Sequence, residues 1–225
     1  MEEVQNEEYV ELSNNTIIKV FFRMFLGLLA TGLTAFYTYK SGLYISILSG
    51  ASYAVIAIIE VAVVLVFSFL FRKLSPLAVT ILFYLYSFIN GITLSVIFAA
   101  FDMSTIFYAF FTTSLLFGGL AFYGYVTKKD MSKFGTILMV TLVVGLIVSI
   151  INIFLGSSFI DIALDWVMLF IFCGLTIYDM NKIKVMGQEI EGDSEKLYIY
   201  GAMQLYLDFI NMFIRILSLF GRRRD

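Results

Sequence analysis

The sequence contains no histidine. That excludes imidazole general bases, histidine metal sites, Ser-His-Asp and Cys-His nucleophilic systems and an imidazole pH switch. A single cysteine, Cys173, cannot form an intramolecular disulfide or a cysteine-cluster zinc site. Charge is also scarce: 14% of the 225 residues are Asp, Glu, Lys or Arg, and the net charge of -2 gives no nucleic-acid footprint. With one proline, helices can run long almost anywhere. What fills the chain instead is apolar. Sixty per cent of the residues are hydrophobic and mean hydropathy is +0.93, against about 45–50% apolar in a soluble domain. Too few polar groups remain to cover a globular surface, so composition points to an integral membrane protein with the lipid bilayer as its main partner.

A helix needs about 20 predominantly apolar residues to cross the hydrocarbon. Seven stretches qualify, at 16–39, 51–71, 76–100, 105–126, 134–155, 160–180 and 197–220. Each is expected to be helical, because an open strand cannot satisfy its backbone in lipid, and the alternation of an outer-membrane barrel is absent. The fold class is therefore all-α, a bundle of seven transmembrane helices. Ser75-Pro76 reads as an N-cap followed by proline at the first helical position. The piece between Gly42 and Gly50 reads as a short interfacial segment. Residues 1–15 carry Glu2, Glu3, Glu7, Glu8 and Glu11 and form an acidic tail without the basic start of a secretory signal. The membrane domain is 16–220, and 221–225 is a basic tail.

Lysine and arginine set orientation. Lys19, Arg23, Arg72, Lys73, Lys128, Lys129, Lys133, Lys182, Lys184 and Lys196 flank one side, and before the C-terminus only Lys40 flanks the other. The N-terminus is expected in the cytoplasm, and a bacterial plasma membrane is the expected location. Arg222, Arg223 and Arg224 conflict with seven full crossings, so the seventh helix either spans against the rule or returns as a re-entrant helix.

Ionisable side chains inside spans are functional candidates by default. Glu60, Asp179 and Asp208 qualify, whereas Asp161 and Asp165 sit at a span boundary and read as exposed interfacial acids. In the seventh span Gly201, Gln204, Asp208, Asn211 and Arg215 are spaced 3, 4, 3 and 4, one polar face on an otherwise apolar helix. That face belongs toward protein, either as polar glue between helices or as a site. Asp208 could pair with Arg215, although seven residues is about 10 Å of rise. Asp179 could be neutralised by Lys182 or Lys184. Asp179 and Asp208 lie on consecutive spans joined by a short loop, and two carboxyls that met there would titrate as a coupled pair. With no histidine available, such a dyad is the most plausible proton sensor in the chain.

The run Met203-Gln204-Leu205-Tyr206-Leu207-Asp208-Phe209-Ile210-Asn211-Met212-Phe213-Ile214-Arg215 closely resembles the seventh-helix signature of the Bax inhibitor (transmembrane Bax-inhibitor-motif) family. Tyr178-Asp179-Met180-Asn181-Lys182-Ile183-Lys184 resembles the end of that family's sixth helix, and Ile59-Glu60-Val61-Ala62 and Asn90-Gly91-Ile92-Thr93-Leu94 resemble its second and third. The resemblance covers nearly the whole chain. It implies a seven-helix bundle with a central C-terminal helix, and a pH-sensitive calcium leak governed by two aspartates, which on the matching positions are Asp179 and Asp208. In bacterial members an arginine near the end of the second helix exchanges partners with those aspartates. The nearest match here is Arg72, with Lys73 beside it, so Arg72 is the candidate latch. Nothing in the chain itself indicates a cell-death role.

The residues are compatible with that implication. Calcium takes about 6–8 oxygen ligands, and Asp179, Asp208, Glu60, Asn211 and Gln204 with water could supply an incomplete, transient set along an ion pathway. No Walker sequence or GxGxxG motif is present, so no nucleotide-driven pump is expected, and no cofactor beyond calcium as permeant ion. A proton-coupled cation exchanger is the alternative. An intramembrane aspartyl protease is a weaker one: Tyr178-Asp179 resembles half of such a site, but Asp208 lies in Leu207-Asp208-Phe209 and not in Gly-x-Gly-Asp. A retinal photoreceptor would need a lysine deep in the core, and Lys196 is at a helix start.

Overall fold

A computed structural model describes residues 2–48, 51–71, 73–189 and 194–221; the side chains of 2–14, 48, 51–54, 57 and 188–189 lie outside that description. The helices are α1 (Glu2–Lys40), α2 (Leu43–Leu48), α3 (Ala51–Leu70), α4 (Pro76–Leu94), α5 (Ile97–Ala100), α6 (Met103–Val126), α7 (Ser132–Leu155), α8 (Ser158–Glu189) and α9 (Glu195–Phe220). Local chemistry fixes several ends. Ser75 Oγ accepts from the Ala78 amide at 3.2 Å with Pro76 at the first helical position, as the sequence predicts. Ser194 caps α9 by accepting from the Leu197 amide. Gly156 closes α7 at φ 63°, a left-handed conformation that favours glycine. Helix α1 begins at Glu2, so the backbone of the acidic stretch continues the helix. The segment between Gly42 and Gly50 contains the six-residue helix α2.

The expected count of seven spans needs correction. Among the described residues six helices are long and apolar enough to cross a membrane, namely Asn15–Lys40, Pro76–Ala100, Met103–Val126, Ser132–Leu155, Ser158–Gly187 and Glu195–Phe220. The expected second span is the exception. Helix α3 runs over 20 residues, Ala51–Leu70, and among the described residues its apolar stretch is Ile58–Leu70. The third span is also broken, since α4 ends at Leu94 and a turn leads into the short α5. The sixth extends well past its expected end at 180, to Glu189.

Helix α9 is the centre of the bundle. Tyr198, Ile199, Ala202, Met203, Leu205, Tyr206, Met212 and Leu217 are all buried along it, and α1, α4, α6 and α8 pack around it. Helix α3 rests mainly on α4, and α7 mainly on α8. Two glycines permit close approach to the backbone of a neighbouring helix. A Cβ on Gly91 would stand 2.6 Å from the Thr31 carbonyl oxygen of α1, and one on Gly124 would stand 2.5 Å from the Ile177 carbonyl oxygen of α8. The outer surface is apolar: Phe69, Phe154 and Phe159 are 76%, 86% and 79% exposed. A soluble protein would not leave such a belt in water, whereas lipid tails cover it at no cost.

Helix α9 runs antiparallel to α8 for its whole length. Near its start Tyr200 OH accepts from Lys182 Nζ at 2.8 Å, and at its far end Phe220 packs edge-on against Trp166 of α8, centroids 5.6 Å apart. It therefore runs the length of the bundle and does not turn back. One end of the bundle gathers the cations. Arg23 bonds Glu195 at 2.9 Å, Lys19 Nζ is 3.5 Å from Tyr198 OH, Lys196 lies over the Phe71 ring, and Lys182 and Lys184 are near the end of α8. Lys40 ends α1. The arginine tail 222–224 lies outside the described residues.

Candidate functional site: a buried aspartate pair between α8 and α9

Asp179 and Asp208 meet. Counted from the α8–α9 connection, Asp179 lies about 15 Å down α8 and Asp208 about 20 Å down α9, so antiparallel packing brings them to nearly one level. This is possible because α8 continues past Met180. The two side chains lie close enough to act on each other electrostatically, and they are 2% and 3% exposed as residues. Gln204 stands near Asp179, and Thr176 near Asp208. Thr176 Oγ1 donates to the Phe172 carbonyl at 2.8 Å. Asp179 Oδ1 and Asp208 Oδ2 are buried without a hydrogen-bond partner, which is costly for an acceptor held away from water.

The lysines expected as neutralising partners are committed elsewhere. Lys182 Nζ donates to Tyr200 OH and sits over the Tyr178 and Tyr200 rings, while Lys184 Nζ donates to the carbonyls of Tyr125 at 2.8 Å and Thr127 at 2.6 Å. Lys182 stays near enough to Asp179 to act through space. The candidate latch Arg72 lies outside the described residues.

The other members of the predicted polar face divide. Gly201 and Asp208 are buried, and Gln204, Asn211 and Arg215 are half-buried, so the stripe does face protein. Asn211 Nδ2 donates to the Leu207 carbonyl of its own helix at 2.8 Å. Arg215 bonds not Asp208 but Asp165 of α8, Nη1 to Oδ1 at 2.7 Å. Asp165 also accepts from Ser218 Oγ at 2.5 Å. Reading Asp165 as an exposed interfacial acid is thus corrected: it is 9% exposed and ion-paired. The missed signal is its spacing. Asp165, Met168, Leu169 and Phe172 fall on one helical face, and all are buried. Asp161 is exposed and accepts from Asn152 Nδ2 at 2.6 Å.

Glu60 is not brought to the aspartates. On α3 it accepts from Thr93 Oγ1 at 3.0 Å and Asn90 Nδ2 at 3.3 Å, both of α4. Asn90 Oδ1 accepts from Tyr206 OH at 3.0 Å, and Tyr206 OH lies 2.6 Å from Thr31 Oγ1 of α1. Two residues along a helix is a turn of about 200°, so Tyr206 and Asp208 occupy different sides of α9. Sequence reasoning did not single out Tyr206 or Thr31. Among the described residues no group of three or more Asp, Glu, Cys or His could hold a metal ion.

A helical bundle with a lipid-ready exterior and a buried carboxyl pair between its central helix and α8 defines a multi-pass membrane protein. Residues 13–225 match the family described as "Inhibitor of apoptosis-promoting Bax1", and the chain belongs to this Bax inhibitor family. It is 38% identical over 212 residues to the inner membrane protein YbhL of Escherichia coli K12, covering 92% of this chain and 91% of that one. It is 32% identical over 226 residues to a protein of Borreliella burgdorferi, with 98% and 97% covered. A membrane protein of Streptococcus pyogenes serotype M1 matches at 38% over 167 residues, with 74% and 72% covered.

Proposed function

We propose that the protein is a passive, calcium-permeable leak whose conductance is set by protonation of the Asp179–Asp208 pair, and that it is not an enzyme. The observation that carries this reading is the pair itself: two carboxyls in reach of each other inside the bundle, each with a buried oxygen lacking a donor. A proton shared between them supplies the missing donor. Without it, two like charges face each other in a medium of low dielectric. The two protonation states thus favour different arrangements of α8 against α9, and this is the bistable element that a pH-sensitive gate requires. The pair and Gln204 supply far fewer than the about 6–8 oxygens that calcium prefers. A site this incomplete suits passage and not storage. Calcium is the permeant ion, and the chain carries no cofactor. The cation-rich end faces the cytoplasm by the positive-inside rule, which places the N-terminus there, in a bacterial plasma membrane.

The test is calcium entry into liposomes holding the purified protein, followed with an internal dye from pH 5 to 8. Flux that varies with external pH and persists without a proton gradient is expected. Flux that requires a counter-gradient of protons would instead identify an exchanger, and absence of flux at every pH would overturn the reading.

A further inference from the structure

A large cavity lies beside the aspartate pair but is not part of it. It measures about 870 Å³ and is lined at the cation-rich end by Lys128 and Lys129 of the α6–α7 loop, Lys182 and Lys184 of α8, and the Tyr178 ring, with Asp130 the one acid among the described lining residues. The Asp130 carboxyl is held below its ordinary value by the hydrogen bond from Ser132. It therefore counts as a full negative charge, and four lysines still outnumber it. The walls are built. Asn181 Nδ2 reaches the Gly124 and Thr127 carbonyls at 3.4 and 3.3 Å, and Lys184 bonds Tyr125 and Thr127, so α8 pins the end of α6 and the start of the loop. An ammonium has three donors. Lys184 places two on those carbonyls and Lys182 places one on Tyr200, so each keeps donor capacity. Lys128 and Lys129 are exposed.

The cavity's position selects its occupant. It sits where the apolar runs of α6 and α8 end, and its lining passes into Val126 and Val185, 48% and 41% exposed. Helices α6 and α7 each pack on α8 but barely on each other. Below the loop their facing sides are therefore not closed against each other. An ion from water would use the lysines alone, whereas a phospholipid would use both the lysines and the apolar surface beside them. Basic pockets between transmembrane helices at a membrane face suit anionic headgroups.

We propose that this cavity is a binding site for the phosphate headgroup of an anionic phospholipid, held by Lys128, Lys129, Lys182 and Lys184, with the acyl chains between α6 and α7. The site is independent of whether the protein conducts calcium.

The full-length protein, immobilised in neutral detergent, is equilibrated with mixed micelles containing phosphatidylglycerol and phosphatidylethanolamine in equal amounts. After washing, the retained lipids are quantified by mass spectrometry. Wild type should retain phosphatidylglycerol preferentially. K128Q/K129Q, which changes only exposed loop side chains, should lower that preference by about fivefold or more, since each lysine near an anionic headgroup contributes roughly a fivefold factor. K40Q, at the C-terminal end of α1, should leave it unchanged. Millimolar inorganic phosphate should displace no more lipid than chloride at the same ionic strength. Equal retention of the two lipids by wild type, or an undiminished preference in K128Q/K129Q, overturns the proposal. Displacement by phosphate but not by chloride would make the site one for free phosphate and overturns the lipid assignment.

Discussion

Arg215 of α9 donates to Asp165 of α8 at 2.7 Å, on the same pair of helices that holds Asp179 against Asp208. The helix pair thus carries two carboxyl sites along its length. One is an acid matched with a cation and a hydroxyl, the other an acid matched with an acid. The first contact ties α8 to α9 through an ion pair, while in the proposed mechanism the second depends on a proton. A change at the aspartate pair is therefore expected to move the helices about a fixed point near Asp165.

The ion pair is expected to contribute to stability. Its side chains are 12% and 28% exposed, so it is neither fully screened nor fully desolvated. Arg215→Gln should lower stability in detergent by about 1–3 kcal/mol, because Asp165 then keeps only Ser218. Adding Asp165→Asn should recover much of that loss, since no uncompensated charge remains. Thermal unfolding of the four proteins of this double-mutant cycle measures the coupling directly, and additive losses would show that the pair is inert.

The aspartate pair should account for the pH dependence of flux. Asp208→Asn or Asp179→Asn leaves one carboxyl beside a neutral amide that can donate to it. Like-charge repulsion and the shared proton both disappear. Each variant should give flux that no longer varies between pH 6 and 8 in the liposome assay. A wild-type pH profile in both would remove the pair from the mechanism.

These two sites were not equally legible in the sequence. Asp208 stood out because its face repeats at helical spacing on an apolar background, and Asp179 because it precedes a short connection. Their meeting depended on how far α8 continues. Lys182 and Lys184 argue against continuation inside lipid, but Tyr200 and the end of α6 receive both ammonium groups and let the helix run on. Asp165 was misread because an acid near a span boundary has an ordinary explanation in water, and its partner lies 50 residues away. Tyr206 was invisible as a polar residue because an aromatic ring in an apolar run reads as core. Only tertiary packing shows that its hydroxyl joins α1 to α4.

The close approach of α6 and α8 is expected to tolerate no side chain at residue 124. A methyl group on Gly124 would collide with the Ile177 carbonyl oxygen at 2.5 Å and with Met180 Cβ at 3.0 Å, and backbone cannot swing aside. Gly124→Ala should therefore cost about 1–3 kcal/mol by forcing the helices apart. Gly118 and Gly119, on the same helix, meet nothing within 4 Å. Alanine there should be neutral or stabilise by up to about 1 kcal/mol through helix propensity. Melting temperatures of the three variants test the contrast, and equal shifts would mean that the contact at Gly124 does not constrain the bundle.

The network around Glu60 should act on flux separately from the aspartate pair, because Tyr206 and Asp208 point to different sides of α9. Tyr206→Phe removes the hydroxyl that donates to Asn90 Oδ1 and contacts Thr31, leaving the buried Asn90 oxygen without that donor, while Thr31 Oγ1 keeps the Gly27 and Ser87 carbonyls. A stability loss of about 1–2 kcal/mol follows from the usual cost of unmatched buried groups. Glu60→Gln keeps an acceptor for Thr93 and Asn90 but removes the charge, so it should lower calcium flux if that carboxylate attracts cations. In neither variant is the pair between α8 and α9 touched. Both should therefore retain the wild-type pH midpoint while their flux or melting temperature falls. A shifted midpoint in Glu60→Gln would show that the two sides of α9 are electrostatically coupled, and the assignment of pH sensing to Asp179 and Asp208 alone would then be wrong.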